Sequence, residues 1–467
     1  MPACSRPGVY VPRQTHDCDA AVLVRRHLPG LLARLEEDGH GLPVFVKDEL
    51  AGFGVCGDFQ QGFIQTACRT CGDELRVPFS CKGRGFCPSC MGRRMAQGAA
   101  LLVDHMLPAV GYRQWVLSFE GRAAVRLGYD QALLAEVAGA LARAVMHDMR
   151  WAVKERHGLR SVEPLHAGVF MVVQRFRGDL GLFVHLHALA TDGAFDEEGG
   201  AQRFLPAPTP TTERMATVLA QVHKVLAAVD EDDDLDMDPA LRACVQLALA
   251  GPRLVPPPEP AASPPLTMSA LGMHLHAATT VDGRDRKRLE RVCRYLLRPP
   301  FAHDAVQALP DGRVRVHFKA PWRSGANHAD MSADKFLARL CALVPPPGFH
   351  MTRYFGVFAS RHHLRPRILP PSVVPASGQQ LALGLDDDDS QGAAAEPSAR
   401  PRRIGWANLL ARVFAVDVTV CRKCGGRMHI LDVVTDPDDI TRILHGARAP
   451  PRPPRPHPPG QLLLLPT

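Results

Sequence analysis

The stretch FVHLHALATDG, Phe183 to Gly193, places two histidines one residue apart in an apolar run. Read as a strand, it sends residues i and i+2 to one face, so His185 and His187 project together while Leu186 turns into a core. Two imidazoles on one strand face are what a two-ligand metal site needs. The same alternation also fits a half-buried strand whose polar residues only fill one face. Further alternating or apolar runs occur at RQWVLSF and AGVFMVVQRF, with a helical pattern from about Gln131 to Glu155 between them. This mixture of strands and helices predicts an α+β fold.

The chain has 467 residues, 46% of them hydrophobic, enough for a large core and more than one unit. Its net charge of +7 and pI near 8.8 suit a partner that carries phosphates. No apolar stretch approaches the ~20 residues of a membrane span, and MPACSRPGVY lacks the charged-then-apolar order of a secretory leader. The expected location is the cytoplasm. There the 13 cysteines read as thiols: clustered pairs as metal ligands, and Cys4, Cys18, Cys244, Cys293 and Cys341 as small packing residues.

Composition divides the chain. Residues 1–55 are helical in pattern, 56–110 a zinc-binding module, and 111–370 the main domain. Within the last, 205–265 reads as a helical and acidic insertion containing TERMATVLAQVHKVLAAV and DEDDDLDMD. A low-complexity linker occupies 371–403, a small unit with CRKCGG occupies 404–449, and 450–467 is a Pro/Arg tail expected to be disordered.

Six cysteines fall within the 35 residues from Cys56 to Cys90. CRTC and CPSC form two C-x2-C knuckles, and zinc takes four thiolates in a tetrahedron, so Cys68, Cys71, Cys87 and Cys90 are expected to bind one structural Zn2+. Cys81 is a possible substitute ligand, Cys56 an outsider, and Cys421 with Cys424 half a site. Lys82, Arg84, Arg93 and Arg94 crowd this module with charge suited to a DNA backbone, although ribbons that only pack against neighbours are common.

GRDRKRLERVCRYLLRPP has amphipathic helical spacing, with Leu289, Val292, Cys293 and Leu296 as the apolar stripe. Arg288, Arg291, Tyr295 and Arg298 line up on another face. The chain has five tyrosines, and this one sits among guanidiniums. An amphipathic tyrosine at a helix boundary explains the position without chemistry. A nucleophilic phenol explains it as well, because arginines hold a phosphodiester beside it and a divalent ion on the histidines stabilises developing charge.

The ordered set SCKGRGFCPSCMGRRMA, RQWVLS, VVQRF before VHLHALATDG, LERVCRYLLRPP, KAPWRSGANH and TRYFGVFASRHHLRP resembles the rolling-circle transposases of the insertion-sequence ninety-one family. It is most similar to the single-tyrosine branch of the common-region elements, from about Cys56 to Pro370. The resemblance implies a zinc-binding domain joined to an endonuclease domain of the His-hydrophobic-His type, in which an antiparallel sheet carries metal-binding histidines and a helix presents the tyrosine. It implies a bacterial, nucleoid-associated enzyme that leaves a 5′-phosphotyrosine on single-stranded DNA with Mg2+ or Mn2+ as catalytic ion. His185 and His187 match the metal pair, Tyr295 the nucleophile, and Gln174 the place of a third polar ligand. MHLHAATTVDG repeats the histidine pattern at His274 and His276 without the QRF strand before it, so the first copy is preferred. Tyr354 reads as part of a core strand. A plasmid or phage replication initiator or relaxase shares this chemistry, and a non-catalytic zinc-containing DNA-binding regulator is the alternative from another class.

Overall fold

The computed structural model describes residues 14–39, 41–198, 203–227, 237–249, 265–321, 325–370 and 419–446. The linker at 371–403, the tail at 450–467 and most of the acidic run lie outside them.

Two helices come first, α1 (Asp19–Glu37) and α2 (Val44–Gly54), with Leu28, Leu31 and Leu35 buried at helical spacing. The hairpin β1 (Phe63–Cys68) and β2 (Glu74–Pro78) leads to α3 (Pro88–Leu101), which opens on a proline in its first turn and ends in a π-turn over Leu102–Met106. Next are β3 (Gly111–Phe119), α4 (Gly121–Tyr129) and α5 (Gln131–His157). The Asp130 side chain caps α5, and Gly158 ends it in the left-handed region at φ 64°. The strands β4 (Leu165–His166), β5 (Gly168–Phe176), β6 (Leu182–Thr191), β7 (Gly193–Asp196) and β8 (Phe204–Pro206) follow. After α6 (Thr212–Leu226) and α7 (Pro239–Leu249) come β9 (Thr267–Ala270), β10 (Met273–Asp282) and α8 (Arg286–Leu296). The chain continues through β11 (Val306–Ala308), β12 (Val314–His317), β13 (His328–Met331), α9 (Ala333–Leu343), β14 (Thr352–Gly356) and α10 (Arg365–Ile368). The last described elements are β15 (Met428–Val434) and α11 (Pro437–His445).

Six strands form the central sheet in the order β14-β5-β6-β3-β10-β9, every neighbouring pair antiparallel. The fold is α+β, as the alternation of patterns predicts. Val184, Leu186 and Ala188 of β6 join Trp115, Leu117 and Met171 in one core with Leu134, Val137 and Leu141 of α5. The opposite face packs Tyr112, Phe170, Val172 and Leu189 against Leu289, Cys293 and Leu296 of α8 and Ala99 of α3. The strand period of two thus divides β6 between two cores, with its histidines on the α8 side. Leu289 is fully buried there, and Leu289→Ala would cost about 2–5 kcal/mol and loosen α8 from the sheet.

The two helices within 205–265 pack into the main domain. Met215, Leu219 and Val222 of α6 and Leu241 and Cys244 of α7 are buried in the main core, because their apolar stripes face α5 and α9. The TDG turn after β6 also has a packing role. Asp192 clasps Arg113 through both oxygens at 2.8 and 3.0 Å, and a Cβ on Gly193 would stand 2.2 Å from the Leu205 carbonyl oxygen. Among the described residues no helix is long and apolar enough to cross a membrane.

Candidate active site and cysteine clusters

His185 and His187 are 9% and 3% exposed, with ring centroids 4.7 Å apart. The β5–β6 register sets Gln174 directly opposite His185, a pairing that the strand pattern alone leaves open. Burial holds His187 well below the usual imidazole range and brings His185 down to about 4, so both rings are neutral at physiological pH. The Phe183 carbonyl oxygen lies 3.0 Å from His185 Nδ1, which makes Nδ1–H the donor and leaves a lone pair on Nε2. The Gln114 amide nitrogen stands 2.8 Å from His187 Nδ1. A half-turn of that amide presents its oxygen instead, so that Nδ1–H donates and Nε2 is again the acceptor.

His187 Nε2 and Gln174 Oε1 are buried and have no hydrogen-bond partner among the described residues. A buried acceptor left in that state costs about 1–3 kcal/mol. Two such atoms on adjacent strands, with the Nε2 of the second imidazole, His185, make a donor set that fits a cation.

Gln174 Nε2 donates to the carbonyl oxygens of Tyr295 and Leu296 at 3.3 and 2.7 Å, which ties β5 to the end of α8. The Tyr295 ring meets His187 edge-on at 5.9 Å and is 40% exposed. The Arg298 guanidinium, just beyond the helix, and the Lys319 ammonium stand over that ring at 4.9 and 5.1 Å. Arg288, Arg291, Val292 and Tyr295 form one wall of an open groove of about 380 Å³, and Gln114, Val116, His276 and Thr279 the other. Arg288, Arg291 and Tyr295 of the helix pattern thus share the groove, and Arg298 meets the same tyrosine ring.

The second histidine pair lies in the same cross-sheet rows as the first. His276 pairs with Val116, which pairs with His187, and His274 pairs with Ser118, which pairs with His185. His274 is occupied by Glu120 and Ser269 at 2.6 and 2.7 Å, whereas His276 lines the groove. Tyr354 is not a core residue. It sits on the edge strand β14, 40% exposed, with its ring 5.3 Å from Phe170. Gln114 lines the groove although no motif singles it out, and Lys319, the first residue of KAPWRSGANH, joins the site through the Tyr295 ring. For Gln114 a signal exists, since alternation in RQWVLSF sets it opposite the buried Trp115.

The cysteines require a correction. The expected quartet of Cys68, Cys71, Cys87 and Cys90 is divided between two clusters: Cys56, Cys81, Cys87 and Cys90 in one, Cys68, Cys71, Cys421 and Cys424 in the other. The hairpin β1–β2 holds Cys68 and Cys71 at its turn and so carries them away from Cys87 and Cys90 at the start of α3. In the first cluster the sulfurs of Cys81 and Cys90 are 3.5 Å apart and those of Cys56 and Cys87 3.7 Å. Hydrogen bonds with Cys56 hold Cys90 below the ordinary thiol value and push Cys81 and Cys87 above it. Four thiols so close ionise together only with a cation among them, and four sulfurs fit zinc. Cys18, Cys244, Cys293 and Cys341 are buried as packing residues, and Cys4 lies outside the described residues.

Lys82, Arg84, Arg93 and Arg94 are exposed beside the first cluster. Arg94 donates to the Lys82 carbonyl at 2.7 Å. Partial desolvation of its guanidinium, and then the nearby Arg84, lower the Arg94 pKa.

Residues 168–365 match the family model described as a putative transposase, and residues 23–119 match that of a transposase zinc-binding domain. Among curated proteins, the transposase for insertion sequence element IS801 of Pseudomonas savastanoi pv. phaseolicola is 23% identical over 375 residues, covering 80% of this chain and 77% of that protein. No solved structure matches. The chain is thus similar to insertion-sequence transposases over the segment with the histidine pairs and Tyr295. Cys56, Cys68, Cys71, Cys81, Cys87 and Cys90 lie in the zinc-binding match, and Cys421 and Cys424 lie outside both matches.

Proposed function

We propose that this protein is a transposase that nicks and joins single-stranded DNA at the ends of an insertion sequence, through a 5′-phosphotyrosine on Tyr295, and so drives rolling-circle transposition. One observation carries the reading: a half-exposed tyrosine stands over a buried His185, His187 and Gln174 set that holds buried polar atoms without a partner among the described residues. In this reading the central sheet and α8 form an endonuclease domain of the His-hydrophobic-His type. The transposase matches favour it over a replication initiator, a relaxase or a non-catalytic regulator.

His185, His187 and Gln174 would hold Mg2+ or Mn2+. When bound, that ion supplies positive charge to a non-bridging oxygen of the scissile phosphate. Arg288 and Arg291 bind the flanking phosphates along the groove, and Arg298 and Lys319 keep positive charge at the tyrosine ring. The Tyr295 oxygen attacks phosphorus, the bond to the 3′ oxygen breaks, and the phenolic proton ends on the departing 3′-hydroxyl. Strand transfer reverses these events with a different 3′-hydroxyl. Lys82, Arg84, Arg93 and Arg94 offer a second contact to the DNA backbone.

The test is incubation with a labelled single strand carrying the element's end and Mg2+ or Mn2+. A denaturant-resistant complex, destroyed by protease and absent with chelator, is the expected product. Cleavage that leaves only free DNA ends would remove the proposal. The groove arginines give a further expectation: Arg288→Ala or Arg291→Ala should weaken binding and flatten its salt dependence by about 0.7 in slope for each lost phosphate contact to a single strand. An unchanged slope would place the strand elsewhere.

A further inference from the structure

The cluster of Cys68, Cys71, Cys421 and Cys424 plays no part in the chemistry above. Its four sulfurs lie within 4.8 Å of one another, yet Cys71 and Cys421 are 350 residues apart in sequence. All four are free thiols. The separations of 3.4 Å between Cys68 and Cys424 and 3.5 Å between Cys71 and Cys421 are too long for a disulfide at ~2.05 Å. They approach the ~3.8 Å edge of a tetrahedron of sulfurs at ~2.3 Å from zinc.

The two C-x2-C turns repeat each other's hydrogen bonds. Thr70 N–H points at Cys68 Sγ and Lys423 N–H at Cys421 Sγ, both at 3.4 Å. Gly72 N–H donates to the Cys68 carbonyl and Gly425 N–H to the Cys421 carbonyl, both at 3.0 Å. Cys68 N–H and Cys421 N–H each reach the carbonyl five residues on, at 2.9 and 2.7 Å. Backbone donors aimed at sulfur favour thiolates. The second glycine of CRKCGG is explained by the same cluster: a Cβ on Gly426 would lie 3.0 Å from Cys68 Sγ and 2.4 Å from Thr70 Oγ1.

The surrounding structure is built to bring the halves together. β15 pairs with β1 from Phe63↔Val434 to Cys68↔Met428, and β1 pairs with β2, so one three-stranded sheet carries both turns. Phe63, Val434 and Ile440 make a small core of their own. Asp73, 8% exposed, takes Lys423 Nζ at 2.6 Å and Arg422 Nε at 3.3 Å.

We propose that these four cysteines bind a second zinc ion, separate from that of the Cys56 cluster, and that it fastens residues 419–446 to the N-terminal module. The ligands are four thiolates, the set that selects a borderline-soft cation over Mg2+ or Ca2+. The basic residues of the second turn are engaged by Asp73, so its work is to close the chain on itself. This proposal does not depend on the transposase reading.

The full-length protein purified with zinc should contain about two zinc ions per chain by elemental analysis. Cobalt substitution should give the charge-transfer absorption of about two tetrathiolate sites. Cys421→Ser with Cys424→Ser should halve both values, and so should Cys81→Ser with Cys90→Ser. A wild-type protein with a single zinc, or a Cys421→Ser/Cys424→Ser protein that keeps two, would overturn the proposal. Alkylation of the wild type gives a readout that needs no variant. Cys421 and Cys424 should react roughly tenfold or more slowly with zinc than after chelation, since bound thiolates are poor nucleophiles. Equal rates would equally overturn it.

Discussion

Tyr295→Phe should bind a single strand as the wild type does and form no covalent adduct. The substitution removes one oxygen from a ring whose contacts are to its faces and edge: His187 at 5.9 Å, Arg298 at 4.9 Å and Lys319 at 5.1 Å. A half-exposed hydroxyl contributes little to folding, so stability should stay within about 0.5 kcal/mol. Phosphate binding by Arg288 and Arg291 does not involve the hydroxyl. Loss of the only atom that can bond to phosphorus should instead lower adduct formation by about 10⁴-fold or more, the scale seen when a nucleophile is deleted. Gel shift and a denaturing adduct assay on the same preparation separate the two effects. Persistence of the adduct in Tyr295→Phe, with its loss in Tyr354→Phe, would assign the nucleophile to the edge strand.

Replacing His185 and His187 together by alanine should abolish metal-dependent nicking, by more than about 100-fold, while the sheet persists. The alanines open a cavity but also remove an imidazole nitrogen that lacks a partner, two effects of opposite sign. Manganese titration should show binding lost in this protein. In Gln114→Leu the affinity should fall about 10–100-fold, because Gln114 orients the His187 ring. The matching change of His274 and His276 should leave manganese binding intact and weaken only the strand, since His276 lines the groove and His274 is bound to Glu120. Equal loss of manganese from both double variants, with both proteins folded, would sink the assignment of the first pair.

What the sequence made legible follows from how local each feature is. The shared face of His185 and His187 needs only the period of a strand, and the line of Arg288, Arg291 and Tyr295 only the period of a helix. Gln174 needed one further fact, the register of the hairpin, which depends on which residues of β5 and β6 enter which core. The cysteines show where locality fails. Spacing favoured joining Cys68 and Cys71 to the nearest knuckle, whereas the actual partners of these two come from the pairing of β1 with β15, which no local pattern encodes. The same holds for α6 and α7: the composition around them suggests an insertion with helical and acidic parts, and the destination of their apolar stripes is set only by the fold. The missing strand motif counts against His276, yet the sheet order β6-β3-β10 lays it across from His187.

The distance between Cys71 and Cys421 along the chain also sets a timetable. At about 5–20 residues per second, 350 residues take a ribosome roughly 20–70 s. Cys56, Cys81, Cys87 and Cys90 emerge within 35 residues of one another, so their cluster is complete a few seconds after it begins. Cys68 and Cys71 leave the ribosome in the same interval and then wait for the rest of their cluster while the whole central sheet is synthesised. During that wait they are a bare dithiol, open to oxidants that the other cluster has already escaped. A ribosome that stops between Gly356 and Cys421 releases a chain with every strand of the central sheet and with Cys68 and Cys71 lacking their two partner cysteines.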